Sequence, residues 1–234
     1  MDMEVKRNKQ ENFFHYKILI VVSAFYMVAV VSSDLFTYKI FKVGSIEGSA
    51  SLIVFPLIYL LSNLVTEIYG KSMATFLLLC ALTCEFFFDV VLSQVIYLPS
   101  PQGFAEQTAF KQILGSLPDV YWGALVALTV SAMVNINLMA WWKNNVDGKF
   151  YLFRSFFSTL VGVLLFTVIG YFIWFWGIKS VSQILELIFV SIISKLVIIS
   201  VMIWPIAQIV RWVKTKEDAF IDQDEAEGRT ASAC

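Results

Sequence analysis

Residues 55–70, FPLIYLLSNLVTEIYG, lie inside a long apolar run, yet Asn63, Thr66 and Glu67 recur at the i, i+3, i+4 spacing that puts three side chains on one face of a helix. Tyr59 and Pro56 extend that stripe by further turns, so a kink, a phenol, two hydrogen-bonding groups and a carboxylate line one side of a segment otherwise built of Leu, Ile and Val. A charged side chain near the centre of a bilayer costs about 2.5–3.5 kcal/mol on insertion scales. The stripe must therefore face protein or water, and it is the first candidate for a binding site.

Outward from this stretch, composition sets the class. Of 234 residues 59% are hydrophobic and 15% charged, against about 25% charged in a typical soluble domain. The 21 Phe and 7 Trp suit lipid-facing walls and interfacial anchors. No basic tract or base-stacking motif marks a nucleic-acid binder. There is no phosphate-binding loop and no dinucleotide glycine motif, so no cofactor is expected, and any ATPase would be another polypeptide. Cys80 and Cys84 read as small buried hydrophobes and Cys234 as a stray thiol, while the single His15 gives no metal site.

Six apolar spans follow in order, at about 18–31, 49–69, 73–97, 119–142, 153–176 and 183–213, giving an all-α membrane protein with a six-transmembrane-helix bundle. The first run leads into SSDLFTYK without a small-x-small cleavage site and reads as a retained helix rather than a secretory signal. Gly70, Lys71 and Ser72 form a tight return, which makes the second and third spans antiparallel neighbours. The connection 98–118 is the longest, contains a short amphipathic piece, and is the best place for a lid. Residues 1–17 form a polar N-terminal segment, 18–213 the bundle, and 214–234 an acidic tail expected to be disordered. With an even number of spans the termini share a side, and twelve of the 17 Lys and Arg fall on it against four opposite. By the positive-inside rule both termini are cytoplasmic and the long loop is outside.

That orientation makes a ladder of polar groups. Asn63, Thr66, Glu67, Asn135 and Arg154 lie in the inner half, Glu85 and Lys195 near the middle, and Asp34 and Asp89 toward the outside. Glu67 reads either as a ligand group or as an interfacial anchor paired with Lys71 or Arg154. Arg154 reads as a positive-inside anchor or a ligand contact, and Asp34 and Asp89 as site groups or as side chains reaching headgroups. Lys195 needs a counter-charge, which Glu85 at the same depth would supply, as a structural or a substrate-gated pair. Tyr59 would stack on a flat ligand.

These residues carry a likeness. The chain resembles the bacterial queuosine precursor transporter family, also described as vitamin uptake transporters. The likeness rests on Phe55 and Pro56, on N-x-x-T-E-I-Y-G from Asn63 to Gly70, on R-S-x-x-S-T from Arg154 to Thr159, and on Lys195 followed by Pro205. The resemblance implies import of a 7-deazaguanine, namely 7-cyano-7-deazaguanine, 7-aminomethyl-7-deazaguanine or queuine, for salvage into modified tRNA. It also implies a six-helix architecture similar to the substrate-binding components of vitamin importers. The 2-amino-pyrimidinone edge of such a base presents adjacent N–H donors to a carboxylate, and its carbonyl wants an amide or ammonium donor. Asn63, Thr66, Glu67, Tyr59, Glu85, Asn135, Arg154 and Lys195 are the candidate substrate-binding residues. The chain departs from the family pattern at Asn63, near Asn135 and Asp34, and at Val163 and Phe166, which bears on the particular deazapurine.

The leading reading is thus a secondary-type importer in the bacterial inner membrane, with a small solute and the lipid bilayer as partners and homo-oligomerisation left open. A second is the binding subunit of an ATP-driven importer, for which only the small pair Ser158 and Gly162 hints at motor docking. A third is an intramembrane enzyme using Ser191 or Ser194 with Lys195, or Glu85 with Asp89. Adjacent helical residues point about 100° apart, which suits that chemistry poorly.

Overall fold

The computed structural model describes the backbone of residues 2–37, 39–43, 46–101, 106–115, 117–146 and 150–232, and the side chains among these outside 2–12, 43, 46–48, 117–120 and 217–232. The order is α1 (Asp2–Thr37), β1 (Ile40–Val43), β2 (Ile46–Ser49), α2 (Ser51–Ile96), α3 (Gln107–Leu114), α4 (Leu117–Asn145), α5 (Tyr151–Phe175) and α6 (Val181–Ser232). Five of the helices are long and apolar enough to cross a membrane. The bilayer core is about 30 Å thick, whereas the 46 residues of α2 would extend ~69 Å if straight. They are not straight. Gly70 breaks the helix at φ 85°, ψ 172°, a conformation that costs other residues about 1–3 kcal/mol and that glycine adopts freely.

The break is a reversal. Asp34, near the end of α1, lines one cavity with Leu52 and Phe55 of the first arm, and its carboxyl lies within hydrogen-bonding reach of Glu85 in the second. A continuous helix would hold Phe55 and Glu85 ~45 Å apart. The two arms, 51–69 and 71–96, therefore run antiparallel and make the bundle six crossings, as the hydropathy pattern indicates. Lipid has no partners for free backbone groups, and helices satisfy them internally.

The core lies between the arms of α2 and helices α1, α4, α5 and α6, with Tyr26, Tyr59, Leu64, Leu78, Ile136, Val163 and Ile199 almost wholly buried. Large apolar side chains such as Phe25, Phe87, Trp122 and Val201 cover the outside, as expected where lipid replaces water. At one end β1 and β2 pair antiparallel, Ile40 opposite Ser49; no sequence signal pointed to this hairpin. The short amphipathic piece forms α3, and its Phe110 and Leu114 pack on Leu92 and Ile96. At the other end sit Gly70, the start of α5 and the last membrane turns of α6. The backbone of α6 runs on to Ser232, so the acidic segment read as a disordered tail carries helix; its Glu, Ala and Lys residues are good helix formers.

Candidate functional site

The polar residues of the bundle fall into two groups. At the Gly70 end the stripe on α2 turns inward and is consumed by protein. Arg154 and Glu67 form a bidentate ion pair, Nη1 to Oε2 at 3.0 Å and Nη2 to Oε1 at 3.1 Å, with each side chain about 1% exposed or less. Lys214 adds its ammonium to Glu67 Oε1, and Lys143 donates to the Glu67 carbonyl. One turn earlier the Asn63 amide donates toward Thr159 Oγ1 at 2.9 Å, Ser158 Oγ at 3.1 Å, and the Ser155 hydroxyl and carbonyl. Its oxygen accepts from Asn135 Nδ2 at 2.9 Å. Thr66 bonds back to the Ser62 carbonyl at 2.8 Å, and Tyr59 Oη pairs with Ser131 Oγ at 2.8 Å.

This layer clamps α2 to α4, α5 and α6, and a buried pair of this kind needs such satisfaction to survive. Gly162 belongs to the same contact. A Cβ there would lie 2.7 Å from Tyr59 Cε1 and 3.1 Å from Asn135 Cβ, so the Ser158 and Gly162 pair serves close packing inside the bundle. The one sequence hint of an external motor surface is thereby accounted for.

At the hairpin end the arrangement is open. A cavity of about 340 Å³ lies beneath Ile40 and Ser49 and is walled by Phe55, Phe166, Tyr171 and Trp174, with Asp34 and Lys195 as its charged residues and several serine and threonine hydroxyls on its lining. Ligand sites run from about 300 to 1,000 Å³, so this volume suits one small ring system. Lys195, 5% exposed, donates to Thr167 Oγ1 at 2.9 Å and sits 4.7 Å from the Phe55 ring centroid and 5.4 Å from that of Phe166. The two rings are 4.2 Å apart, and a desolvated cation over aromatic faces gains about 2 kcal/mol.

The expected pairing of Lys195 with Glu85 is corrected here. Among the described residues the ion pairs are those of Glu67, while Glu85 lies against Asp34. The reason is the facing of the second arm rather than its depth: Glu85 is turned to α1, where Asp34 and Tyr26 meet it, and not to α6. Of the pairs weighed for an enzyme, Ser194 and Lys195 are turned to different partners: Ser194 donates to the Val190 carbonyl, and Lys195 to Thr167 Oγ1.

Of the eight residues singled out in the sequence, Lys195 alone lines this cavity. Asn63, Asn135, Glu67 and Arg154 are brought together in the clamp, Thr66 and Tyr59 flank it, and Glu85 stands beside the cavity through Asp34. Phe55, Phe166 and Trp174 were not among the candidates. Phe55 was within reach, since one turn back from Tyr59 along the stripe is Phe55, whose ring centroid lies 5.4 Å from that of Tyr59. A larger groove of about 640 Å³ on the outer face is walled by Phe14, Val21, Phe25, Ile209 and Trp212, and offers almost no polar recognition.

Among the known protein families, residues 49–210, well over half of the chain, match the model described as "Putative vitamin uptake transporter". Neither the comparison with curated proteins nor that with solved structures returned a match.

Proposed function

Because the chain belongs to the vitamin uptake transporter family, we propose that it imports a 7-deazaguanine base across the bacterial inner membrane, with both termini in the cytoplasm, and that the base binds beneath the hairpin. The observation that carries this reading is the Lys195 ammonium set between Phe55 and Phe166 in a cavity whose opposite charge is Asp34. A 2-amino-pyrimidinone edge donates two adjacent N–H groups to the Asp34 carboxylate. The ring carbonyl accepts from Lys195, and the flat face lies on Phe55, Phe166 or Trp174. An ammonium wall favours the neutral nitrile of 7-cyano-7-deazaguanine over bases that bring a second cation beside it.

The clamp at the Gly70 end then acts as the closed inner gate. Asn63, Asn135, Glu67 and Arg154 meet the base only when their mutual bonds exchange for bonds to it, which gives alternating access around a site between the two ends. The test is to express the chain in cells that neither make nor import deazaguanines. Restored tRNA modification is expected with 7-cyano-7-deazaguanine supplied, and no restoration with any of the three bases overturns the reading. Uptake by the lone chain in liposomes separates it from a binding subunit that needs a motor.

A further inference from the structure

Beside the cavity is a second set of buried groups, of which the reading above uses Asp34 alone. The carboxyls of Asp34 on α1 and Glu85 on the second arm of α2 lie within hydrogen-bonding reach of each other. Asp89, one turn on from Glu85, is within electrostatic range of both. Glu85 is 2% and Asp89 7% exposed, and among the described residues no Lys or Arg forms an ion pair with any of the three.

Two hydroxyls face this cluster. Tyr26, 1% exposed, interacts with Glu85, and Tyr121, 4% exposed, with all three acids. Tyr26 Oη, Tyr121 Oη, Glu85 Oε2 and Asp89 Oδ2 are all buried without a hydrogen-bond partner. Such groups are costly and call for an explanation.

Ionised carboxylates only accept hydrogen bonds, so two of them meet at bonding distance only through a proton. The described residues contain no group of three acidic, His or Cys side chains disposed to hold a metal ion. We propose that the Asp34–Glu85 pair is a proton-binding site and that proton binding there is coupled to occupancy of the adjoining cavity.

Asp34 is the coupling element, because it belongs to both sites. With the cavity empty, one proton is shared between Asp34 and Glu85. When a base donates its N–H groups to Asp34, the proton stays on Glu85 and Asp34 serves as the ionised acceptor. Without that proton two carboxylates would stand side by side, so the proton strengthens base binding, and by linkage the base strengthens proton binding by the same factor. The groups that face the pair are Tyr26 from α1, Asp89 from α2, Tyr121 from α4, and, across the cavity, Tyr171 from α5 and Lys195 from α6. A proton entering with each base and leaving with it to the cytoplasm drives uptake down the proton gradient.

The coupling rests on the proposed function, and the test separates the two. In proteoliposomes carrying the full chain, labelled 7-cyano-7-deazaguanine is followed both in counterflow exchange, which needs no gradient, and in net accumulation under an inward proton gradient. Accumulation abolished by an uncoupler is expected, as is a ratio of accumulation to exchange at least tenfold lower for Glu85→Gln. Exchange that proceeds while accumulation ignores the gradient overturns the coupling. Exchange absent from the wild type overturns the proposed function instead. The proton site is then decided by infrared spectroscopy of the wild type: a carboxylic-acid carbonyl band at neutral pH, sensitive to Asp34→Asn, supports it, and absence of that band overturns it.

Discussion

At the Gly70 end of the bundle, Glu67 meets Arg154 in a two-point ion pair, takes a second cation from Lys214, and is sealed from solvent. At the hairpin end, Lys195 has a hydroxyl and two aromatic rings for company, and among the described residues Glu85 and Asp89 have no cation in an ion pair. Both ends bury charge in an apolar chain, and the cost of doing so is of the same kind. The difference lies in whether the protein itself supplies the partner. Where it does, the charge holds helices together; where it does not, the charge is kept for something that arrives.

The largest expected effect tests the sealed end. Arg154→Met leaves the Glu67 carboxylate short of its main partner, and breaking a buried pair in this way costs about 3–5 kcal/mol. The fraction folded in detergent and the unfolding midpoint should both fall, and Glu67→Leu combined with Arg154→Met should recover most of the loss. Normal folding of Arg154→Met together with lost equilibrium binding of 7-cyano-7-deazaguanine would move the ligand site to this end.

Next comes the open end. Lys195→Met removes a charge-assisted hydrogen bond worth about 1.5–3 kcal/mol, roughly a ten- to hundredfold loss of affinity. Binding of 7-cyano-7-deazaguanine, read by titration calorimetry, should weaken by that factor while the unfolding midpoint holds or rises. Adding Glu85→Leu should not rescue it, because the two side chains are not partners.

Smaller effects sharpen the contrast. Gly162→Ala drives a methyl into the Tyr59 ring, and overpacking of this sort costs about 1–3 kcal/mol. It should lower the unfolding midpoint without altering which base is preferred. Phe55→Leu keeps the bulk of the cavity wall and loses the ring, about 0.5–1.5 kcal/mol of aromatic contact. A several-fold rise in the dissociation constant with a small fall in the unfolding midpoint is the expected reading, since the ring also packs on Phe166 and Tyr59.

The bundle was legible because hydropathy is a local property, and every span announces itself within about 20 residues. Gly70 was legible for the same reason, as a turn residue between two apolar runs. The strands at 40–43 and 46–49 were not, since each is four residues long and hydropathy windows average them away. The site was half legible. The stripe of Asn63, Thr66 and Glu67 is a true inward face, but spacing on one helix does not tell whether the partner is a ligand or another helix. Only the approach of Ser155, Ser158, Thr159 and Arg154 from α5 decides that. Phe166 was visible as a position where the chain leaves the family pattern, and the fold turns that departure into a cavity wall. Asp34 read equally as a site group or a headgroup contact, and only the packing of the second arm of α2 on α1 puts Glu85 beside it.

That reversal has a bearing on biogenesis. With a lone glycine as the corner between residues 69 and 71, the second and third crossings have almost no connecting segment to thread separately through a translocation pore. The expected consequence is that the two arms enter the lipid together, with Glu85 meeting Asp34 of the α1 that precedes them.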